Sequence, residues 1–220
     1  FILTHAYERV DMPTQEQVDA FLPPFEPRQV LDPQDPVSMG AMVGPEAFTE
    51  VRYLAHVKQM QALDLIPAWA AEFRQAFGRD SGGLIHAYRT EDADTIVVAL
   101  GSVLGTIKDT VDALRDKGHR FGVVGITCFR PWPTAAIRQA LGNAKRVIVL
   151  EKAFGVGLGG IVSANVRTSS GSPDSVYTVI AGLGGLPITR DSLSRIFTEV
   201  EEGTAPALTF PLPGGVTFAS

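Results

Sequence analysis

From Thr95 onward, short runs of aliphatic and β-branched residues alternate with segments whose apolar positions recur every three or four residues. "TIVVAL", starting at Thr95, is apolar on both faces, as a central parallel strand must be. Leu104, Ile107, Val111 and Leu114 then share one side of a predicted helix, with Lys117 in its last turn and Gly118 as its stop. "FGVVGIT" reads as a second strand, "PTAAIRQALG" as a short helix closed by Gly142, "RVIVLE" as a third strand and "VYTVIAG" as a fourth. A last helix starts at Thr189, a good N-cap, and runs through Leu193, Ile196, Phe197 and Val200 to Gly203. Strand and helix in alternation predict an α/β fold with a doubly wound, mostly parallel sheet.

The pattern before Thr95 is different. Residues Met12 to Gly44 are proline-rich and carry little periodicity beyond one or two helical turns around Val18, Phe21 and Leu22. A linker of this length is expected to travel over a neighbouring surface. A helical region follows from Gly44 to Phe77, with Pro45 at its first position and Phe48, Val51 and Leu54 at helical spacing. Pro67 is expected to kink it or to start a second helix with Asp64 as N-cap. Trp69, Phe73 and Phe77 form an apolar stripe suited to core or interface packing. "FIL" at the start reads as the end of a strand, and without an initiator methionine the chain reads as a fragment of a larger polypeptide. The tail "TAPALTFPLPGG" is expected to lie extended along a surface. The domain division is therefore 1–43, 44–83, 84–203 and 204–220.

Composition narrows the function classes. In 220 residues, 45% hydrophobic and 20% charged, the net charge is −5, the wrong sign for a phosphate-backbone binder. No apolar run is long enough for a membrane span, and the start lacks the basic region of a secretory signal, so a cytoplasmic protein with neither nucleic-acid nor membrane partners is expected. A single cysteine, Cys128, cannot form an internal disulfide or by itself hold a cluster or structural zinc.

Ligands of open α/β sheets bind beyond the carboxyl ends of the strands. Gly101, Ser102, Gly105 and Thr106 open a helix there and are weak candidates for an anion contact, although neither mononucleotide glycine fingerprint is present. Arg130, between two aromatics in "CFRPWP", is read as an interface residue more readily than as a carboxylate clasp. Gly155, Gly157, Gly159 and Gly160 in "EKAFGVGLGG", with Gly184 and Gly185 in "AGLGG", permit close backbone approach and mark a ligand cleft or a seat for another domain. "NVRTSSGS" at Asn165–Ser172 reads as a polar loop. The four histidines have no metal-ligand spacing, and no catalytic constellation or metal site is expected.

Phe1–Ala6, Phe21–Pro24, Leu31–Val37, Gly44–Pro45, Arg52–Tyr53, Tyr88–Asp94, Ala99–Gly118, Phe129–Pro133 and Ala181–Gly185 stand in one order. Together they resemble the α subunit, or corresponding region, of pyruvate:ferredoxin oxidoreductases (pyruvate synthases) and related 2-oxoacid:ferredoxin oxidoreductases. The resemblance spans nearly the full chain except its tail. It implies a complex that decarboxylates a 2-oxoacid, most readily pyruvate, on thiamine diphosphate with Mg2+. Electrons would pass through [4Fe-4S] clusters to ferredoxin, and the acyl group to coenzyme A. It also implies a transketolase C-terminal-like domain from about Tyr88, and before it the edge of a thiamine-pyrimidine-type domain. These cofactors would be held mainly by other domains or subunits, so none is assigned to this chain and no catalytic residue carries over. Pro67 and the tail from Thr204 depart from the pattern. The alternatives are the equivalent domain of a transketolase or an oxoacid dehydrogenase β subunit, and a noncatalytic assembly module.

Overall fold

The computed structural model describes residues 10–40, 42–142, 144–171, 175–211 and, for the backbone alone, 217–219. The expected strand end at Phe1–Leu3 lies outside these. Two compact units divide the chain, Phe1–Ser81 and Gly82–Ser220.

In the first unit, α1 spans Gln15–Phe21 and α2 spans Pro45–Phe77. A capping box starts α1: the Thr14 hydroxyl accepts from the Gln17 amide at 3.3 Å, and the Thr14 amide donates to the Gln17 side chain at 2.9 Å. Helix α2 begins at Pro45 and ends on Gly78 in the left-handed region, φ 66°. The second helix that Asp64 would have capped does not form: α2 runs on through Pro67, and Asp64 lies in its interior. An interior proline costs about 3 kcal/mol and removes one rung. Good helix formers on both sides (Gln61, Ala62 and Leu63; Ala68, Ala70, Ala71 and Glu72) carry the helix past it.

Phe21 of α1 packs edge-on against Phe73 and Phe77, with centroids 6.0 and 5.1 Å apart. Trp69 of the same stripe stays 58% exposed, and neither helix buries a residue. Phe48, Val51, Leu54, Val57, Met60, Leu63, Ile66 and Trp69 stand at every third position of α2. At 3.6 residues per turn each such step falls back by about 60°, so the apolar row winds round the helix. Such a helix suits enclosure more than lying on one surface.

The second unit is built on β1 (Ile85–Tyr88), β2 (Thr95–Ala99), α3 (Val103–Arg115), β3 (Phe121–Ile126), α4 (Thr134–Leu141), β4 (Arg146–Glu151), β5 (Phe154–Gly155), β6 (Gly159–Gly160), α5 (Ile161–Ser169), β7 (Val176–Ile180), α6 (Arg190–Glu201), β8 (Leu208–Pro211) and β9 (Thr217–Ala219). The sheet order is β1-β3-β2-β4-β7-β8-β9, and β5 and β6 form a separate hairpin. Pairs from β3 to β8 are parallel, and the two edge strands are antiparallel. Alternate residues of each strand face opposite layers. Val97, Ala99, Val123 and Ile148 meet Ile107, Val111 and Leu114 of α3 and Leu193, Ile196, Phe197 and Val200 of α6. Ile96, Val98, Val124 and Val149 meet Ile137 and Leu141 of α4 and Val162 and Val166 of α5. The expected doubly wound, mostly parallel α/β sheet is therefore the fold.

Two local readings change. Asn165–Ser169, read as polar loop, are the second half of α5. Parallel β4 and β7 need a crossover, and Val162, Ser163, Val166 and Ser169 give that helix a narrow buried face of small residues. The run after Gly203, read as surface tail, places β8 in the sheet with Thr209 buried.

At the amino ends of the strands Asp94 joins three strand entries. Its carbonyl accepts from Lys145 at 2.8 Å and its amide donates to the Arg120 carbonyl at 2.9 Å. Its carboxylate pairs with Arg120 (Nε, 2.9 Å) and Lys145 (3.2 Å), while Asp92 pairs with Arg115 at 2.5 Å. Hydrogen bonds from Arg120 and Lys145 hold the Asp94 carboxyl below its ordinary pKa, and Arg115 does the same for Asp92. A carboxyl depressed in the folded state stabilises fully above its ordinary value of 3.8, and loses that contribution as pH falls through the folded value. The urea midpoint should therefore drop on acidification below about pH 4. Asp94→Asn should start lower at pH 7 and decline less. An unchanged acid profile in that variant would place the loss elsewhere.

Candidate functional site at the carboxyl edge

Strand order reverses around β2: the chain passes from β2 to β3 on one side, then back across to β4 on the other. The loops after β2 and β4 therefore diverge to opposite layers and leave the crevice where open α/β sheets take ligands. Around it lie the loops after β3 and β7.

After β2, Leu100 is 42% exposed and Gly101 turns the chain with φ 85°. Ser102 precedes α3 without a side-chain capping bond. The Thr106 carbonyl accepts from the Thr110 hydroxyl at 2.7 Å, and Gly105 has open space where a Cβ would stand. The four anion-contact candidates thus lie together on one turn and the first turn of α3. Gly101 supplies the positive φ of a tight turn, whereas Gly105 has neither a positive φ nor a neighbour that a Cβ would meet.

After β4, Glu151 is buried, 5% exposed. Its carboxylate accepts from the backbone amides of Val162 at 2.7 Å and Ser163 at 2.8 Å. It satisfies two free N–H groups of α5 and sets a negative charge at the positive end of that helix. Gly160 is what makes room: a Cβ there would overlap the Glu151 carboxylate and the Ser163 hydroxyl. Between them β5 and β6 form a hairpin, closed by a Leu158 amide to Gly155 carbonyl bond of 2.9 Å. Phe154 anchors its base edge-on to Phe210 of β8, centroids 5.0 Å apart. Gly157 (φ 80°) and Gly159 (φ 98°) have no neighbour within 4 Å of a built Cβ, so backbone conformation requires them. A Cβ built at Gly155 would stand 3.4 Å from the Leu158 Cβ, an ordinary contact.

After β7, Gly184 and Gly185 lie in a short 3-10 turn, both with positive φ and no close neighbour. The Lys152 side chain lies over Gly182, its Cε 3.6 Å from where a Cβ would be. On the loop after β3, the Arg130 guanidinium stacks 4.2 Å from the Phe129 ring centroid and donates to the Phe129 carbonyl at 2.7 Å, with its side chain exposed. Phe129 meets Trp132 edge-on, and Trp132 donates to the Ser169 hydroxyl at 2.8 Å, tying this loop to α5.

The structure thus gathers every singled-out glycine and Arg130 on loops of one edge. Pattern reading missed Glu151 as an organiser, and missed the exposed Val156, Leu158 and Leu183. The available signal was an aliphatic residue set between glycines in "GVGLGG".

Among the described residues, no group of three or more His, Cys, Asp or Glu is placed to hold a metal. Cys128 is buried, donates to the Pro131 carbonyl at 3.4 Å, and is the chain's one cysteine. These residues do not fit an iron–sulfur cluster. Among the described residues, no helix is long and apolar enough to cross a membrane.

Residues 93–193 match the family model described as pyruvate:ferredoxin oxidoreductase core domain II. The chain is 39% identical over 215 residues to pyruvate synthase subunit PorA of Methanosarcina barkeri, covering 95% of the chain and 53% of that protein. It is 34% identical over 206 residues to ketoisovalerate oxidoreductase subunit VorA of Pyrococcus horikoshii, covering 92% of the chain and 52% of that protein. The chain spans about half the length of the curated relatives it matches. Among solved structures it is similar to the 2-oxoglutarate:ferredoxin oxidoreductase of Magnetococcus marinus, with TM-score 0.44 and 22% identity over 59% of this chain and 21% of that one.

Proposed function

Through residues 93–193 the chain belongs to the pyruvate:ferredoxin oxidoreductase family, and from that premise we propose that it is part of a thiamine-diphosphate-dependent 2-oxoacid:ferredoxin oxidoreductase. In the whole complex the oxoacid loses carbon dioxide, its acyl group joins coenzyme A, and the electrons leave to ferredoxin. Pyruvate is the first candidate substrate and a branched 2-oxoacid the second, after the names of the two relatives. The observation that carries this reading is the 39% identity over 95% of the chain.

Within that complex the chain is a structural and assembly element. The division is kept as the end of a preceding domain plus linker (1–43), a helical connector (44–83) and an α/β domain from 84, which takes in β8 beyond residue 203 instead of leaving a separate tail at 204–220. Two features support the assembly role. Helix α2 carries an apolar row that winds round it and has no fully buried residue, and the carboxyl edge presents exposed aliphatics and glycines. The edge is a seat for a neighbouring domain or subunit, with Gly101, Ser102, Gly105 and Thr106 as a subsidiary anion contact. Thiamine diphosphate, Mg2+ and clusters belong to other parts of the assembly, which is cytoplasmic.

The full-length polypeptide, purified with its co-purifying chains, should reduce ferredoxin when given pyruvate and coenzyme A. A branched 2-oxoacid in its place tests the second substrate. The isolated 220-residue chain should show no turnover and no thiamine diphosphate binding by calorimetry. Tight binding by the isolated chain would overturn the assembly role, and failure of both oxoacids would overturn the enzyme assignment.

A further inference from the structure

Resting on the seat reading above, we propose that the β5–β6 hairpin tip is a preformed knob that docks into a partner protein surface, apolar at its centre and acidic at its rim. Val156 and Leu158 are 93% and 72% exposed, and Leu100 and Leu183 flank them at 42% and 44%. These four side chains come from the loops after β2, β4 and β7, which are consecutive in the sheet. They therefore form one patch rather than scattered surface residues.

The patch is held still. Phe154 is pinned on Phe210, Glu151 fixes the start of α5 just past the hairpin, and the Leu158 amide closes the turn. Apolar side chains on a rigid base lose little freedom on docking, which is what a binding anchor needs.

Charge indicates the partner. The chain carries −5 overall, yet residues 100–106, 127–133, 152–160 and 181–189 contain two charged residues, Arg130 and Lys152, both basic. Glu151 next to them is buried and faces α5. The amino ends of α3 and α4, which carry no acid in their first turns, add partial positive charge at the same edge, while at the start of α6 Arg190 and Asp191 offset one another. An apolar patch with a basic margin complements an apolar surface rimmed by Asp and Glu. An anionic bilayer would call for a denser basic cluster than these two residues.

The test uses the full-length polypeptide in its purified complex. Val156→Asp with Leu158→Asp should weaken association by ~100-fold or more, and Val156→Ser with Leu158→Ser should weaken it less. Both pairs should keep the wild-type far-ultraviolet spectrum because the sites are exposed, and the serine pair decides the matter if the aspartate pair does not fold. Lys152→Glu should slow association by about 10-fold at low salt, an effect that fades as salt is added.

Normal assembly of both hairpin variants would sink the knob, whereas the seat reading falls only if the isolated chain binds thiamine diphosphate tightly. Weakened assembly of those variants, with neither rate nor salt dependence altered in Lys152→Glu, would remove the acidic rim and leave the seat. A hairpin-dependent dimer of this chain alone, or hairpin-dependent binding to phosphatidylserine vesicles, would overturn the proposal in favour of that occupant.

Discussion

Gly160→Val should lower the stability of the α/β unit by about 3–5 kcal/mol, enough to leave much of it unfolded at 37 °C. The position is closed from two directions. A Cβ would overlap the Glu151 carboxylate and Ser163 hydroxyl, with the carboxyl carbon only 2.8 Å away. The carboxylate cannot retreat without giving up its bonds to the Val162 and Ser163 amides at 2.7 and 2.8 Å. Overpacking and loss of a charge-assisted cap therefore arrive together. Gly157→Val is the control on the same hairpin. Its φ of 80° strains any L residue but nothing stands within 4 Å, so about 1–2 kcal/mol is expected. Urea titration followed by circular dichroism separates the two. Equal losses would mean that backbone strain, not the carboxylate, makes this hairpin depend on glycine.

Glu151→Ala should cost about 2–4 kcal/mol, because two amides at the start of α5 lose their acceptor inside the protein. Glu151→Gln should fall between, since its amide oxygen can serve one donor while its NH2 faces the other. The two positions should also be coupled. Gly160→Ala ought to be milder in a Glu151→Ala background by about 1–2 kcal/mol, because the carboxylate is gone and only the rotatable Ser163 hydroxyl still crowds the new methyl. Strict additivity in that double-mutant cycle would show that Gly160 and Glu151 do not share the space assigned to them.

Both variants bear on function through presentation. Glu151 closes the central strand β4 and caps the helix that follows the hairpin, so the tip at Val156 and Leu158 keeps its direction only while the cap holds. Complex assembly should therefore fail in Glu151→Ala at temperatures where the sheet itself remains folded.

How far the amino-acid order could be read follows from the range of the forces involved. The apolar runs at Thr95–Ala99, Phe121–Ile126, Arg146–Glu151 and Val176–Ile180 identified four central strands. Period and end signals alone also placed the final helix, from its Thr189 cap to Val200. Helix α5 escaped because its buried face includes two serines, which read as loop until β4 and β7 are known to run parallel and to need a crossover. Pro67 misled for the converse reason: a single missing rung is outweighed by the helix formers around it.

The sequence by itself determined the α/β class, the parallel central strands and the glycines at their carboxyl ends, because each depends on spacing within a few residues. Only the tertiary structure decided that the loops after β2, β4 and β7 share one edge, and that the Glu151 carboxylate meets amides 11 and 12 positions further on. It alone decided that Val156 and Leu158 stay in water. Strand order and the aim of a buried charge come from contacts between distant segments, and no local pattern records those.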